Sequence, residues 1–205
     1  MTKREMGVVT TLVFVSFLAA SVLAADKVVV GFYGESLCPD CIAFCTGPLR
    51  KAFDEVPSIF TLHYVPWGNA KIIDGKFECQ HGDMECTINA VEACALHYQP
   101  NMTAYWPFLY CMYSHGERQD PSIAQQCATQ FDMDWGKIST CYQGDMGHQL
   151  ELMYYNETAS LNPPHQYTPW ATINGKHDTE AEGDRLTSQI CRAYKGEDKP
   201  RACRF

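Results

Sequence analysis

Residues 28–41, VVVGFYGESLCPDC, place a run of β-branched and aromatic residues directly ahead of two cysteines three apart. Val28 to Tyr33 has the composition of a buried strand. After a short turn, Ile42, Cys45, Leu49, Ala52, Phe53 and Val56 recur at helical spacing until Pro57 closes the run. Cys38 and Cys41 therefore fall where a strand gives way to a helix, with Pro39 suited to the helix entry. Gly47-Pro48 predicts a kink or short break in that helix. The spacing alone says little, because eleven cysteines in a chain of this length give about 0.6 C-x-x-C pairs by chance. Its position between two elements is what restricts the fold.

The cysteines also carry information about compartment. Lys3 and Arg4 precede an almost wholly apolar run from Val8 to Leu23, and small residues follow near Ala24 and Ala25. Residues 1–25 read as a secretory signal peptide. The competing reading is a signal anchor, since Gly7–Ala25 is just long enough to span a bilayer. All eleven cysteines follow this segment and so meet an oxidising environment. If Cys38 and Cys41 are one redox pair, nine remain, which is four bridges and a spare thiol whose identity the sequence leaves open. Losing Lys3, Arg4 and Glu5, together +1, moves the formal net charge from −8 to −9. That charge argues against nucleic acid and against anionic membrane surfaces as partners, and no later segment is apolar for long enough to stay in a membrane.

Further along, 59–65 alternates as a second strand and 79–159 carries helical segments bearing cysteine. Strand character returns in YTPWATINGK, with an Asn-Gly turn, and EGDRLTSQICRAY reads as a last helix. The order is that of an α/β fold with an inserted, disulfide-stabilised helical subdomain. The expected divisions are 26–78 and 161–195 for the two parts of the α/β domain, 79–160 for the insertion, and 196–205 for a tail that is loose or processed.

A cysteine ahead of a helix lies near unpaired N–H groups and the positive end of the helix dipole, which favour the attacking thiolate. Cys38 would attack a substrate disulfide and Cys41 would resolve the mixed disulfide. Lowering a cysteine from about 8.5 to about 5 needs roughly 4.8 kcal/mol, and a helix terminus supplies at most about 2. Asp40 is read as a solvated first-turn residue, and neither Glu35 nor any of the seven histidines is assigned a proton-transfer role. Thr168-Pro169, just before a strand, matches the place where thioredoxin-like folds set a cis proline beside the cysteines. There the backbone at Thr168 would pair with an extended substrate peptide; the alternative is an ordinary trans proline opening a strand.

Residues 79–94, CQHGDMECTINAVEAC, match C-Q-H-G-x-x-E-C-x-x-N-x-x-x-x-C without a gap. This pattern resembles the signature of the gamma-interferon-inducible lysosomal thiol reductase family, and the resemblance runs from the leader to TPWATING. It implies a thioredoxin-like fold with a helical insert and reduction of protein disulfides in endosomes or lysosomes. It also implies Cys38 as nucleophile, Cys41 as resolving thiol, no bound cofactor, and an external thiol reductant. Cys79, Cys86 and Cys94 are expected in structural bridges, because their spacing with His81 is not that of a zinc site. Cys45 stands outside the motif and is either bridged or a third thiol near the pair.

Asn101 and Asn156 open N-x-T acceptor sequences for glycans, expected on surface loops. Two rival readings remain at this stage. One is a secretory-pathway disulfide oxidase or isomerase, and the other a secreted binding protein in which Cys38–Cys41 is an inert bridge. Oligomeric state is open.

Overall fold

A computed structural model describes residues 25–204. The expected leader lies almost wholly outside these residues, and among them no helix is long and apolar enough to cross a membrane. A four-stranded sheet has β1 (Val28–Gly34) at its centre, parallel to β2 (Phe60–Pro66). On its other side β1 runs antiparallel to β5 (Trp170–Ile173), which pairs with β6 (Lys176–His177) at the edge. Strand β1 is buried at every position except Val29, as expected of a central strand covered on both faces. Gly31 is required there, because a Cβ would meet Thr172 Oγ1 of β5 at 2.3 Å.

The helix after β1 is interrupted where the sequence predicts it. Helix α1 (Pro39–Phe44) passes through a π turn, Cys45–Leu49, into α2 (Arg50–Glu55). Pro48 has no N–H to continue the ladder, and the wider turn absorbs the missing bond. The hairpin of β3 (Lys71–Ile73) and β4 (Lys76–Glu78) has no counterpart in the sequence reading. Its signal was Asp74-Gly75, which both take positive φ at the tight turn.

Between β4 and β5 lie α3 (Asp83–Tyr98), α4 (Met102–Ser114), α5 (Pro121–Gln130), α6 (Trp135–Tyr142) and α7 (Asp145–Ala159). Disulfides Cys94–Cys141 and Cys111–Cys127 tie α3 to α6 and α4 to α5. On a chain-entropy argument, closing the loop of 47 residues in the first is worth about 4 kcal/mol. Cys79–Cys86 closes the loop ahead of α3. The last bridge, Cys191–Cys203, fastens the tail to α8 (Leu186–Ala193), and Lys199 Nζ donates to the Cys191 carbonyl at 3.0 Å. The tail through residue 204 is therefore not loose. The expected count of four bridges holds, and the spare thiol is Cys45, unbridged and fully buried in the π turn.

Of four buried carboxyls among the described residues, Glu85 beside His81 included, three are pushed upward by burial: Glu92 on α3, Glu151 on α7, and Glu35 just beyond β1. Glu92 illustrates why they stay uncharged. Its Oε2 is 2.5 Å from Tyr64 Oη, Tyr64 Oη is 2.9 Å from Tyr113 Oη, and Tyr113 donates to the Glu35 carbonyl at 3.2 Å. Three contacts in series need three protons, and two hydroxyls supply two. The third comes from a protonated Glu92, whose other oxygen accepts no bond. Burial accordingly pushes Glu92 up to about 8, and Glu35 is likewise pushed up to about 8, first by burial and then by Glu85. Burial also raises Glu151.

Such a carboxyl binds its proton more tightly in the folded than in the unfolded chain. Its contribution to stability is complete below the ordinary value near 4.5 and is lost as pH rises through the folded value near 8. Urea unfolding should therefore show the highest midpoint in acid and a fall from about pH 5 to about pH 8, on the order of 1–3 kcal/mol per buried carboxyl. Glu92→Gln should flatten that slope; a midpoint independent of pH over this range would contradict the protonated chain.

Candidate active site

Cys38 occupies the N-cap of α1, and its Sγ accepts the Cys41 N–H at 3.4 Å. Pro39 takes the first helical position and Asp40 faces solvent. Cys38 keeps 6% exposure while Cys41, one helical turn deeper, has none. The Cys41 Sγ accepts the Glu35 N–H at 3.5 Å and lies 3.2 Å from Thr168 Oγ1. Thr168 in turn donates to the Tyr33 carbonyl at 3.0 Å. Cys38 Sγ is 3.9 Å from the Thr168 carbonyl, and the Thr168–Pro169 bond is cis. The strand end, the helix start and the segment before β5 thus meet at the two sulfurs.

These surroundings divide the pair. The Cys41 thiol beside it pulls Cys38 down to about 7 against the opposing effect of burial, with help from the backbone N–H groups of Cys41 and Asp40 and from His81. Burial, reinforced by Cys38, pushes Cys41 well above the ordinary thiol range. The outer sulfur is the one that ionises and the inner sulfur keeps its proton. Cys45 is raised too, first by burial and then by Glu92, and being inaccessible it does not act as a third thiol at the surface.

The C-Q-H-G-x-x-E-C-x-x-N segment is built against this turn. Cys79–Cys86 closes its loop, and Gly82 caps α3 at φ 90°, a conformation open to glycine. Gln80 Oε1 accepts from Asn69 Nδ2 at 2.7 Å, while the Asn69 N–H donates to Glu35 Oε1. His81 contacts Glu85 twice, through its backbone N–H at 3.0 Å and through Nδ1 at 2.6 Å, and Nδ1 is 3.6 Å from Glu35 Oε2. Ser36, two residues before Cys38, is held at every polar group. Its N–H donates to Asn89 Oδ1 at 3.0 Å, its hydroxyl to the Glu85 carbonyl at 3.3 Å, and its carbonyl accepts from Gln119 Nε2 at 2.5 Å.

Glu35, Ser36, Glu85, Asn89 and Gln119 are the site residues that sequence reasoning missed. A signal existed for three groups of α3: Glu85, Asn89 and Glu92 recur by four and three, which puts a polar stripe on one helix face, and all three are buried. The possibility of metal ligation through Cys79, Cys86 and Cys94 is removed by their disulfides. Glu35, His81 and Glu85 bring ligand atoms within 4.8 Å of one another, a grouping their mutual contacts account for.

The two glycan acceptors are exposed, and Asn101 sits in the short segment between α3 and α4. Asn101 caps α4 by accepting the Thr103 N–H at 3.0 Å, and Asn156 lies within α7. The expectation of a surface loop holds for Asn101 and fails for Asn156, because asparagine is tolerated on a solvated helix face.

Alkylation of Cys38 by iodoacetamide should follow a single titration centred near pH 7, with Cys41 unmodified in the folded protein. A midpoint near the ordinary thiol value would mean that the surroundings do not stabilise the thiolate. Asn89→Ala leaves the Ser36 N–H buried without a partner and should destabilise the fold by about 1–3 kcal/mol while shifting that midpoint upward. An unchanged midpoint would disconnect the α3 stripe from the cysteine pair.

Residues 29–131 match the family described as "Gamma interferon inducible lysosomal thiol reductase (GILT)". The chain is 38% identical over 202 residues to an Arabidopsis thaliana gamma-interferon-responsive lysosomal thiol protein, covering 96% of this chain and 83% of the relative. It is 36% identical over 189 residues to the gamma-interferon-inducible lysosomal thiol reductase of Carassius auratus, covering 87% and 73%. The fold superposes on oxidised BdbD from Bacillus subtilis with a TM-score of 0.62 at 15% identity, over 82% of this chain and 88% of that one. With a thioredoxin-like sheet, a divided cysteine pair and these relatives, the chain belongs to the gamma-interferon-inducible lysosomal thiol reductase family and is a thiol–disulfide oxidoreductase.

Proposed function

We propose that this oxidoreductase reduces disulfides of protein substrates in an endosomal or lysosomal compartment, with Cys38 as nucleophile and Cys41 as resolving thiol. The observation that carries the reading is the opposed shift of two neighbouring sulfurs, Cys38 down and Cys41 up. The Cys38 thiolate attacks one sulfur of the substrate disulfide and expels the other as a thiolate, which takes a proton. Cys41 then loses its proton and attacks Cys38 Sγ, releasing the second substrate thiol and leaving a Cys38–Cys41 disulfide. An external thiol returns the pair to the dithiol. Thr168 and cis Pro169 flank the sulfurs and offer backbone for an extended peptide.

An acidic workplace fits the core better than it fits the thiolate. Buried Glu35, Glu92 and Glu151 favour acid stability. Cys38 near 7 leaves on the order of 1% thiolate at about pH 5. That value also supports a second reading, exchange in the near-neutral secretory pathway. Asn101 and Asn156 serve as glycan acceptors in either case; Thr158 of the second acceptor is 2% exposed, so Asn156 would be modified before α7 forms.

Turnover of a disulfide-linked peptide with cysteine as donor should vanish in Cys38→Ser, and Cys41→Ser should trap a mixed disulfide. Rates rising about tenfold per pH unit from about pH 5 and levelling off near 7 are expected if Cys38 ionisation governs attack. Equal activity of wild type and Cys38→Ser would sink the assignment.

A further inference from the structure

Beside the cysteine pair the surface opens into a groove of about 690 Å³ that runs between α1 with its π turn and the segment around Pro169. Ala43, Pro48, Tyr167 and Pro169 give it apolar walls. Its charged lining is Asp40, Glu182 and Asp184, with no Lys, Arg or His. These carboxylates differ in what they already do. Glu182 is occupied, accepting from Tyr167 Oη at 2.9 Å and the Ala171 N–H at 3.2 Å and contacting His177 Nε2 at 2.8 Å. Asp40 and Asp184 are exposed and, among the described residues, their side chains take part in no ion pair or hydrogen bond. Arg185, next to Asp184, is turned to Glu180 instead.

We propose that this groove selects disulfides whose flanking residues are basic, so that the substrates are cationic, extended polypeptide segments. The inference rests on the reading of Cys38 and Cys41 as the reducing pair. A half-cystine presented to Cys38 with its backbone along Thr168 sends neighbouring residues over Ala43 and Pro48 on one side and Tyr167 on the other. Long Lys or Arg side chains lay their methylene stems on those apolar surfaces and carry their charge to Asp40 and Asp184. Acidic segments meet two uncompensated carboxylates and are disfavoured, which supplies discrimination through repulsion as well as attraction. Since both carboxylates are solvated, each should contribute only modestly, about two- to fivefold in kcat/KM, and the effect should weaken with salt.

The test uses the leader-free full chain, dithiothreitol as an uncharged donor, and two fluorogenic disulfide peptides alike except for Arg-Arg or Glu-Glu beside the half-cystine. Wild type should favour the Arg peptide by about fivefold or more, mainly through KM, and added salt should compress the ratio. Asp184→Asn should lower the ratio and Asp184→Lys should bring it to or below one. Asp184 is exposed and its side chain makes no hydrogen bond or ion pair among the described residues, so urea midpoints of both variants should match wild type and exclude misfolding as the cause. A wild-type ratio near one, or a ratio unmoved in both variants, overturns the proposal while leaving the reductase reading intact. Failure of wild type to reduce either peptide faster than Cys38→Ser overturns the reading beneath it, and the proposal with it.

Discussion

Two sulfurs of opposite protonation must sit within hydrogen-bond reach of each other, and a short turn at the end of a strand has no internal means of holding that arrangement. Here the holding is done at Ser36, whose three polar groups are bound by Asn89, Glu85 and Gln119. Those partners lie in the helical block, far away in sequence. Burying Ser36 without them would leave an N–H and a carbonyl unsatisfied, each at a cost comparable to a lost hydrogen bond. The helical block thus completes the redox turn as well as covering the sheet.

The same principle explains the cysteine bridges. Cys79–Cys86 and Cys94–Cys141 bracket the α3 stripe, fixing the loop that carries Gln80 and His81 and anchoring the helix that carries Glu85 and Asn89. Bridges of this kind act by limiting the freedom of the chain around a polar cluster that apolar packing alone does not orient. The free thiol Cys45 has no such task. It fills space in the π turn, and burial keeps it protonated.

Proton placement gives the molecule two opposed pH responses. Glu35 and Glu92, each held up to about 8, favour the folded state in acid. Cys38, lowered to about 7, gains thiolate as pH rises. Glu35 couples the two, since its backbone N–H reaches Cys41 and its carboxyl is influenced by Cys38. A neutral Glu35 spares the thiolate a neighbouring negative charge, which ties acid stability and thiolate stabilisation to one residue.

Local chemistry was legible in the sequence: the strand before CPDC, the break at Gly47-Pro48 and the Asn-Gly turn after β5 depend on neighbours close in the chain, and the count of four bridges with one spare thiol needs only the number of cysteines. The resemblance carried by residues 79–94 pointed to the family without a physical role for its Gln, His, Glu and Asn. That role was decided only by tertiary structure, because the partners of Ser36 lie 49, 53 and 83 residues away. Disulfide connectivity was hidden for the same reason, as was the burial that holds Glu92 neutral and Cys41 protonated. Sequence periodicity reports which face of an element turns inward, whereas the group it meets there depends on how distant elements pack.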